Sequence, residues 1–276
     1  MKSYKLCCSC DLLLNYKNSQ SNECIDEKLL QSLFKTKTLI DRVDINKWEK
    51  FKKLNNKYEY IYTSSNKSKN ISNVNPISRS YFKLHEIIQD FDIHNFTLSS
   101  CIAEGPGGFI NCLLDNKVKE VHGITLLTND KKIPYWNNSL IKNENVHINT
   151  NQNTGNIYMK DTAIEFISII HTKGLSDLVT ADGGFDYSND FNKQELSSYK
   201  LLFSEIFIAI NIQQENGSFI IKVFDIFYHK TIQLLYLLYL SYEEVYIYKP
   251  TISRLSNSEK YIVCKGFKPF NKEIID

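Results

Sequence analysis

From residue 78 onward the apolar positions switch repeatedly between a helical period and short continuous runs. "SRSYFKLHEIIQDF" (78–91) spaces Leu84, Ile87, Ile88 and Phe91 for one face of a helix. "FTLSSCIAEG" (96–105) reads as a strand that enters "GPGGF", and a helix is predicted from about 108 to 116. "KEVHGITL" (119–126) and "NVHINT" (145–150) are short strands, 160–172 a helix, and "SDLVTADGG" (176–184) a strand. A long helix over 192–213 leads to a strand over 216–225, a helix over 229–241, and strands in "EEVYIYKP" and "KYIVCKGF". Strands alternating with helices through short connections predict a doubly wound, mostly parallel α/β sheet. The last two strands are joined by only nine irregular residues, 251–259, too few for a parallel crossover, so that pair is predicted antiparallel. Upstream, helical stretches at 26–36 and 46–54 precede "TSSNKSKNISNVNP" (63–76), a polar segment closed by proline that reads as a linker or mobile loop. The pattern divides the chain into an extension with linker, 1–76, and one α/β domain, 77–276.

Composition narrows the class. With 42% hydrophobic and 13% aromatic residues, the 276-residue chain can bury a sizeable core. The longest apolar candidate for a membrane span, 234–240, is too short and is broken by Tyr236 and Tyr239, so no membrane role is expected. Lys5, Ser9 and Asp11 interrupt the apolar N-terminus, which does not read as a signal peptide. Seven cysteines without a regular framework indicate a reducing compartment. Cys7 and Cys10 make a C-x-x-C, but no second close pair or finger-spaced histidines accompany it. Buried thiols on an N-terminal strand are therefore expected, and no metal. The net charge of +2 hides an asymmetry: residues 1–76 hold 14 Lys+Arg against 8 Asp+Glu, and the remainder 19 against 23. The extension thus offers a basic face to a polyanion.

Two places break the packing logic. Phe219, Ile220, Ile221, Val223 and Phe224 make the run over 216–225 apolar on both faces, which suits a central strand covered by helices. Lys222 interrupts it near the carboxyl end, where open α/β sheets place ligands. An ammonium there needs partners, a task, or a route for its head to water. The second place is "AEGPGGF" (103–109), between the first strand of the domain and its helix. No G-K-[ST] follows, the glycine spacing is not G-x-G-x-x-G, and the next strand ends "GITLL" without an acid for a dinucleotide ribose. A glycine turn without phosphate chemistry, opened by Glu104, suits a ligand bearing an ammonium group, such as S-adenosylmethionine; the other reading is a turn made for close strand–helix packing.

Five stretches, "SRSYFKLHEI", "AEGPGGF", "LVTADGGF", "GSFIIKVFDIF" and "KPTISRLSNSEKYIVCKGF", together resemble the FtsJ-type RNA ribose 2′-O-methyltransferases. Within that group they are closest to the mRNA cap-1 enzymes of eukaryotes and large DNA viruses. The resemblance covers about residues 77 to 268 in the family's order. It implies a Rossmann-like class I methyltransferase fold with an antiparallel last strand and an N-terminal extension. It also implies a Lys-Asp-Lys-Glu catalytic set, which falls on Lys83, Asp182, Lys222 and Glu259.

Methylating a ribose hydroxyl needs its oxygen in line with the methyl donor and its proton removed as the C–O bond forms. Lys222 is the base that the resemblance implies. Burial and Lys83 would lower its pKa, whereas Asp182 and Glu259 would raise it, so base and orienting roles both stay open. This chemistry requires no metal. The implied cofactor is S-adenosyl-L-methionine, held by Ser78, Glu104, Gly105, Pro106, Gly107, Gly108, Phe109, the main chain near Thr125, and Asp182. Ser78 stands where cap enzymes often carry asparagine. In place of a "GDIT"-like stretch the chain has "TGNIYMKD", which puts Asn156 at the adenosine contact with Asp161 as fallback. Arg79, Asn192, Ser253, Arg254, Asn257 and Ser258 are the implied RNA contacts.

The implied function is S-adenosylmethionine-dependent mRNA cap 2′-O-ribose methylation, cap 0 to cap 1, at the first transcribed nucleotide. "ADGGF" and "SRLSNSEKYIVCKG" favour this over ribosomal or transfer RNA ribose methylation. The alternative of another class is a non-catalytic FtsJ-like RNA-binding scaffold, against which the intact set of four argues. Capped RNA is the implied substrate, and a polymerase or capping-enzyme subunit a candidate partner. The implied location is intracellular and reducing: nucleus, cytoplasm, or a viral factory or virion.

Overall fold

The computed structural model describes residues 3–7, 22–63, 67–130, 133–149, 154–185 and 191–269. Eight strands form one sheet: β1 (Tyr4–Lys5), β2 (Leu98–Ile102), β3 (Glu120–Ile124), β4 (Val146–Ile148), β5 (Ser176–Ala181), β6 (Gln213–Val223), β7 (Tyr242–Tyr248) and β8 (Lys260–Phe267). The helices are α1 (Glu27–Lys37), α2 (Ile45–Leu54), α3 (Ser80–Asp90), α4 (Gly108–Asp115), α5 (Asn138–Ile141), α6 (Lys160–Lys173), α7 (Gln194–Ile212) and α8 (His229–Ser241). Across the sheet the order is β1-β7-β8-β6-β5-β2-β3-β4. From β4 to β6 all neighbours are parallel, and β8 runs antiparallel to both β6 and β7. The mostly parallel sheet and its antiparallel last strand are as expected from the pattern. That β8 inserts between β6 and β7 is a non-local choice that no local pattern encodes.

Each face of the sheet buries its own cluster. Phe166 and Ile170 of α6, Leu202, Ile206 and Ala209 of α7, and Leu234 and Leu238 of α8 cover one face, together with Phe219, Ile221 and Val223 from β6. Leu84, Ile87 and Ile88 of α3 and Phe109, Ile110 and Leu113 of α4 cover the other, with Ile220 from β6. Side chains alternate along a strand, so Lys222 shares the face of Ile220 and points to the α3 layer. That layer carries Lys83.

Several elements depart from the pattern. β2 and β5 end at Ile102 and Ala181, short of the strand ranges expected over 96–105 and 176–184, so 103–107 and 182–185 leave the sheet as loops. At Ala103 the backbone is left-handed (φ 54°), which breaks the extended run. β6 begins directly where α7 ends, and α5, a single turn capped by Asn137, has too few residues for a visible period.

The N-terminal segment is tied to the sheet. Asp26 and Asp44 cap α1 and α2 by accepting main-chain N–H bonds. β1 pairs with β7, Lys5 forms an ion pair with Glu244, and Lys37 one with Asp225. The described part of 63–76, expected as a linker or mobile loop, bonds back to residues 60–63. Ile71 N–H donates to Tyr60 O (2.8 Å), Ser72 N–H to Ile61 O (3.3 Å), and Thr63 N–H to Asn70 Oδ1 (2.7 Å). Cys7 is exposed rather than buried, following a two-residue edge strand whose own residues are exposed; Cys8 and Cys10 lie outside the described residues. The buried free thiols are Cys101, Cys112 and Cys264. Among the described residues no helix is long and apolar enough to cross a membrane.

Candidate active site

At the carboxyl ends of the central strands, four charged side chains from separate elements come together. Lys83, from the first turns of α3, places Nζ 2.8 Å from Glu259, which immediately precedes β8. Lys222, next to last in β6, donates to the Asp182 main-chain oxygen (2.7 Å) and lies 3.2 Å from Asp182 Oδ1. Asp182 follows β5, and Tyr261 O–H donates to its Oδ1 (2.8 Å). Ser253 O–H donates to Glu259 Oε1 (2.8 Å), and the main-chain N–H of Glu259 donates to Asn257 Oδ1 (2.8 Å). The loop at 184 must be small, because a Cβ there would stand 3.0 Å from Lys222 Nζ.

Burial and charge compete at each group. Burial lowers the pKa of Lys222, but Asp182, Glu259 and Glu205 more than offset this and hold it above the usual lysine value. In the ligand-free protein these carboxylates favour the ammonium form of Lys222. Burial pushes Glu259 up, Lys83 and Lys222 pull it down, and the result is about 2.

The glycine turn lies beside this set. Glu104 is buried, and its carboxylate accepts the N–H groups of Phe109 (2.7 Å) and Ile110 (3.4 Å) at the start of α4. Burial raises its pKa to about 8. Gly107 has φ 104°, and a Cβ on Gly108 would collide with the hydroxyls of Ser78 and Ser80, themselves 2.6 Å apart. Ile77 N–H donates to Asn111 Oδ1 of α4 (3.1 Å), which anchors Ser78 over the turn. Gly105 N–H donates to Thr125 Oγ1 (3.3 Å), and a Cβ on Gly155 would run into the Thr125 carbonyl. Thr125 and Asn156 thus belong to one wall. Asn156 Oδ1 accepts Tyr158 N–H (3.0 Å), and Asp161 is exposed on the first turn of α6. A turn stripped of side chains, a buried carboxyl at its start and an amide on the facing wall fit the amino-acid and adenosine parts of S-adenosylmethionine.

The residues expected at the RNA are drawn into a lip around Glu259. Arg254 makes two bonds to Glu59 (Nε–Oε2 3.0 Å, Nη2–Oε1 2.6 Å). Arg79 donates to the carbonyls of Tyr58 (2.9 Å), Glu59 (2.8 Å) and Ile252 (3.1 Å). Ser258 O–H donates to Gln194 Oε1 (2.9 Å), bringing the turn at Phe191–Lys193, with Asn192, next to the 253–258 loop. Ser253 and Asn257 are engaged with Glu259 as above. Both arginines therefore hold the N-terminal segment against this loop.

Sequence reasoning missed four contributors. Glu59 pins both arginines. Glu205, buried on α7, accepts Gly183 N–H (3.2 Å), and burial raises its pKa to about 8. Tyr261 holds Asp182, and Lys249, lowered by burial to about 8, donates to the Glu259 carbonyl (2.8 Å). One signal was visible: Glu205 is an acid inside the apolar run "EIFIAI".

The profile of FtsJ-like methyltransferases matches residues 76–267. The chain is 29% identical over 277 aligned positions to the mouse cap-specific mRNA (nucleoside-2′-O-)-methyltransferase 1, covering 89% of this chain and 31% of that protein. It is 28% identical to the orangutan (Pongo abelii) cap-specific mRNA (nucleoside-2′-O-)-methyltransferase 2, covering 91% of this chain and 34% of that protein. The chain therefore spans about a third of the length of these relatives. Among solved structures, a ribosomal RNA methyltransferase, putative, from Plasmodium falciparum superposes with a TM-score of 0.51 at 23% identity, covering 70% of this chain and 99% of that one. The likeness to that structure is one of fold. With well over half its length matched, the chain belongs to the FtsJ-like methyltransferase family.

Proposed function

We propose that the protein is an S-adenosylmethionine-dependent mRNA cap 2′-O-ribose methyltransferase acting on the first transcribed nucleotide. The observation that carries this reading is the convergence of Lys83, Asp182, Lys222 and Glu259, from four separate elements, at the carboxyl ends of the strands and beside the glycine turn. Likeness to two relatives named as cap-specific supports the capped substrate over ribosomal or transfer RNA. A scaffold role is disfavoured, since burying four charges has no benefit for a surface that only binds.

S-adenosylmethionine supplies, when bound, an electrophilic methyl group and a fixed positive charge. Ser78, Glu104 through Phe109, Thr125 and Asn156 would hold it. A positive charge nearby would lower the pKa of Lys222, so that its ammonium gives up a proton to water; the neutral Nζ would then take the proton of the 2′-hydroxyl as the C–O bond forms and the methyl–sulfur bond breaks. Asp182 aims that amine, and Glu259 fixes Lys83 alongside so that the hydroxyl is aligned before reaction. Ser253, Arg254, Asn257, Ser258 and Asn192 shape the lip that receives the nucleotide, and Arg79 holds that lip to residues 58–62. A nuclear or cytoplasmic location, and a polymerase or capping subunit as partner, accompany this substrate.

The test is a methylation assay on capped, uncapped and ribosomal RNA with the modified position mapped. Methylation confined to the first transcribed ribose of capped RNA is expected. Equal transfer to ribosomal RNA would move the assignment to that branch, and no transfer to any RNA would favour the scaffold.

A further inference from the structure

β3 and β4 lie at the sheet edge farthest from β1. Glu120 and His122 are two residues apart on β3 and so share a face, and His147 stands directly opposite His122 in the parallel register. The ligating atoms of the three lie within 4.8 Å of one another. His122 Nε2 is 2.8 Å and His147 Nε2 3.3 Å from the same oxygen, Glu120 Oε1, and the two imidazoles stack with centroids 4.9 Å apart. We propose that Glu120, His122 and His147 form a binding site for a divalent transition metal of the zinc class, which clamps the short edge strand β4 to the sheet.

The geometry needs little adjustment. Ligands bound to a tetrahedral zinc at about 2.0–2.2 Å lie roughly 3.3–3.6 Å apart, so side-chain rotations suffice and the strands stay in register. β3 is laddered on both sides, which fixes two of the three ligands in advance. His122 is buried and its ring is stacked on His147, which holds it in place for the ion. His147 is 45% exposed and gives the ion a way in and room for a water as fourth ligand. Lys173, at the end of α6, lies 3.8 Å from Glu120 Oε1 and is 48% exposed. It balances the carboxylate when no ion is bound and can swing into water when one is. Two imidazoles and a carboxylate suit zinc, and also copper or nickel, over magnesium or calcium. Glu120 opens β3 and His122 and His147 stand mid-strand at the far sheet edge, whereas Asp182 and Lys222 lie at the carboxyl ends of the central strands β5 and β6, so this metal takes no part in methyl transfer.

Zinc titration into the full chain by calorimetry, with thermal melting in parallel, tests the site. Zinc should bind, raise the melting temperature, and bind at least about a hundredfold more weakly to His147→Ala and Glu120→Gln, above the 10–100-fold typical of outer-shell partners. Both positions are partly exposed, so both variants should fold, which their zinc-free melts will check. Lys173→Ala removes the competing ammonium and should tighten binding. Failure to bind millimolar zinc overturns the proposal. So does binding that all three variants leave unchanged, which would place the ion elsewhere, as on N-terminal cysteine thiolates.

Discussion

Lys222 answers to three carboxylates at once: Asp182 in contact, and Glu259 and Glu205 acting through space. Removing it takes away the cation that all three share. Lys222→Ala should lower methyl transfer by at least about a hundredfold, as for a lost general base. Lys222→Arg keeps the charge but cannot take up a proton near neutral pH, so its rate should be equally low. An arginine variant retaining most of the activity in single-turnover assays would reduce Lys222 to a fixed charge. Glu104 makes a prediction about pH. Its pKa of about 8 lies above the ordinary carboxyl value of 4.5, so the free protein binds this proton more tightly than the unfolded chain does. Glu104 therefore contributes stability at low pH that is lost as pH rises through about 8. A ligand ammonium beside Glu104 favours the carboxylate. Cofactor binding at about pH 6.5 should then release close to one proton, measured by calorimetry in buffers of different ionisation heat. Glu104→Gln retains an acceptor for Phe109 N–H and should abolish the release. Release that persists in this variant would assign the proton to another group.

At the scale of elements, the site is made where strands stop. β2 ends at Ile102 and β5 at Ala181, and the chain that follows makes the glycine turn and the loop carrying Asp182. The facing wall depends on Gly155, whose φ of 64° and close approach to the Thr125 carbonyl exclude a side chain. Gly155→Ala should push the wall outward at a cost of about 1–3 kcal/mol. Cofactor affinity should fall at least about tenfold, with the melting temperature lowered only modestly. Affinity equal to wild type by calorimetry would mean that this wall does not contact the ligand.

The whole molecule places a basic N-terminal segment across a core of opposite net charge. Glu59 binds Arg254 and the carbonyls of 58 and 59 receive Arg79, so cutting away residues 1–69 would also dismantle the lip. A gentler probe exists in α2, where Lys47, Lys50 and Lys53 are exposed. Replacing the three by alanine should weaken RNA binding and flatten its salt dependence by about 0.7 log units per log unit for each phosphate no longer neutralised. Cofactor affinity and melting temperature should stay nearly constant. An unchanged salt slope would remove α2 from the RNA path.

The amino-acid sequence by itself determined the alternation of elements, because burial on one face or two leaves a periodic trace in every helix and strand. The family resemblance carried by "SRSYFKLHEI", "LVTADGGF", "GSFIIKVFDIF" and the "SNSEKY" stretch singled out four charged residues, which the fold then brings close. Tertiary structure alone decided what those charges are. Whether Lys222 is an ammonium depends on carboxylates 37, 40 and 17 residues away in the chain, and such through-space effects have no local signature. The same holds for Arg79 and Arg254. Taken locally they are cations beside a nucleotide site, but folding brings Glu59 and three carbonyls to them first. A buried guanidinium is held where its donors are satisfied, and only the packed chain shows where that is.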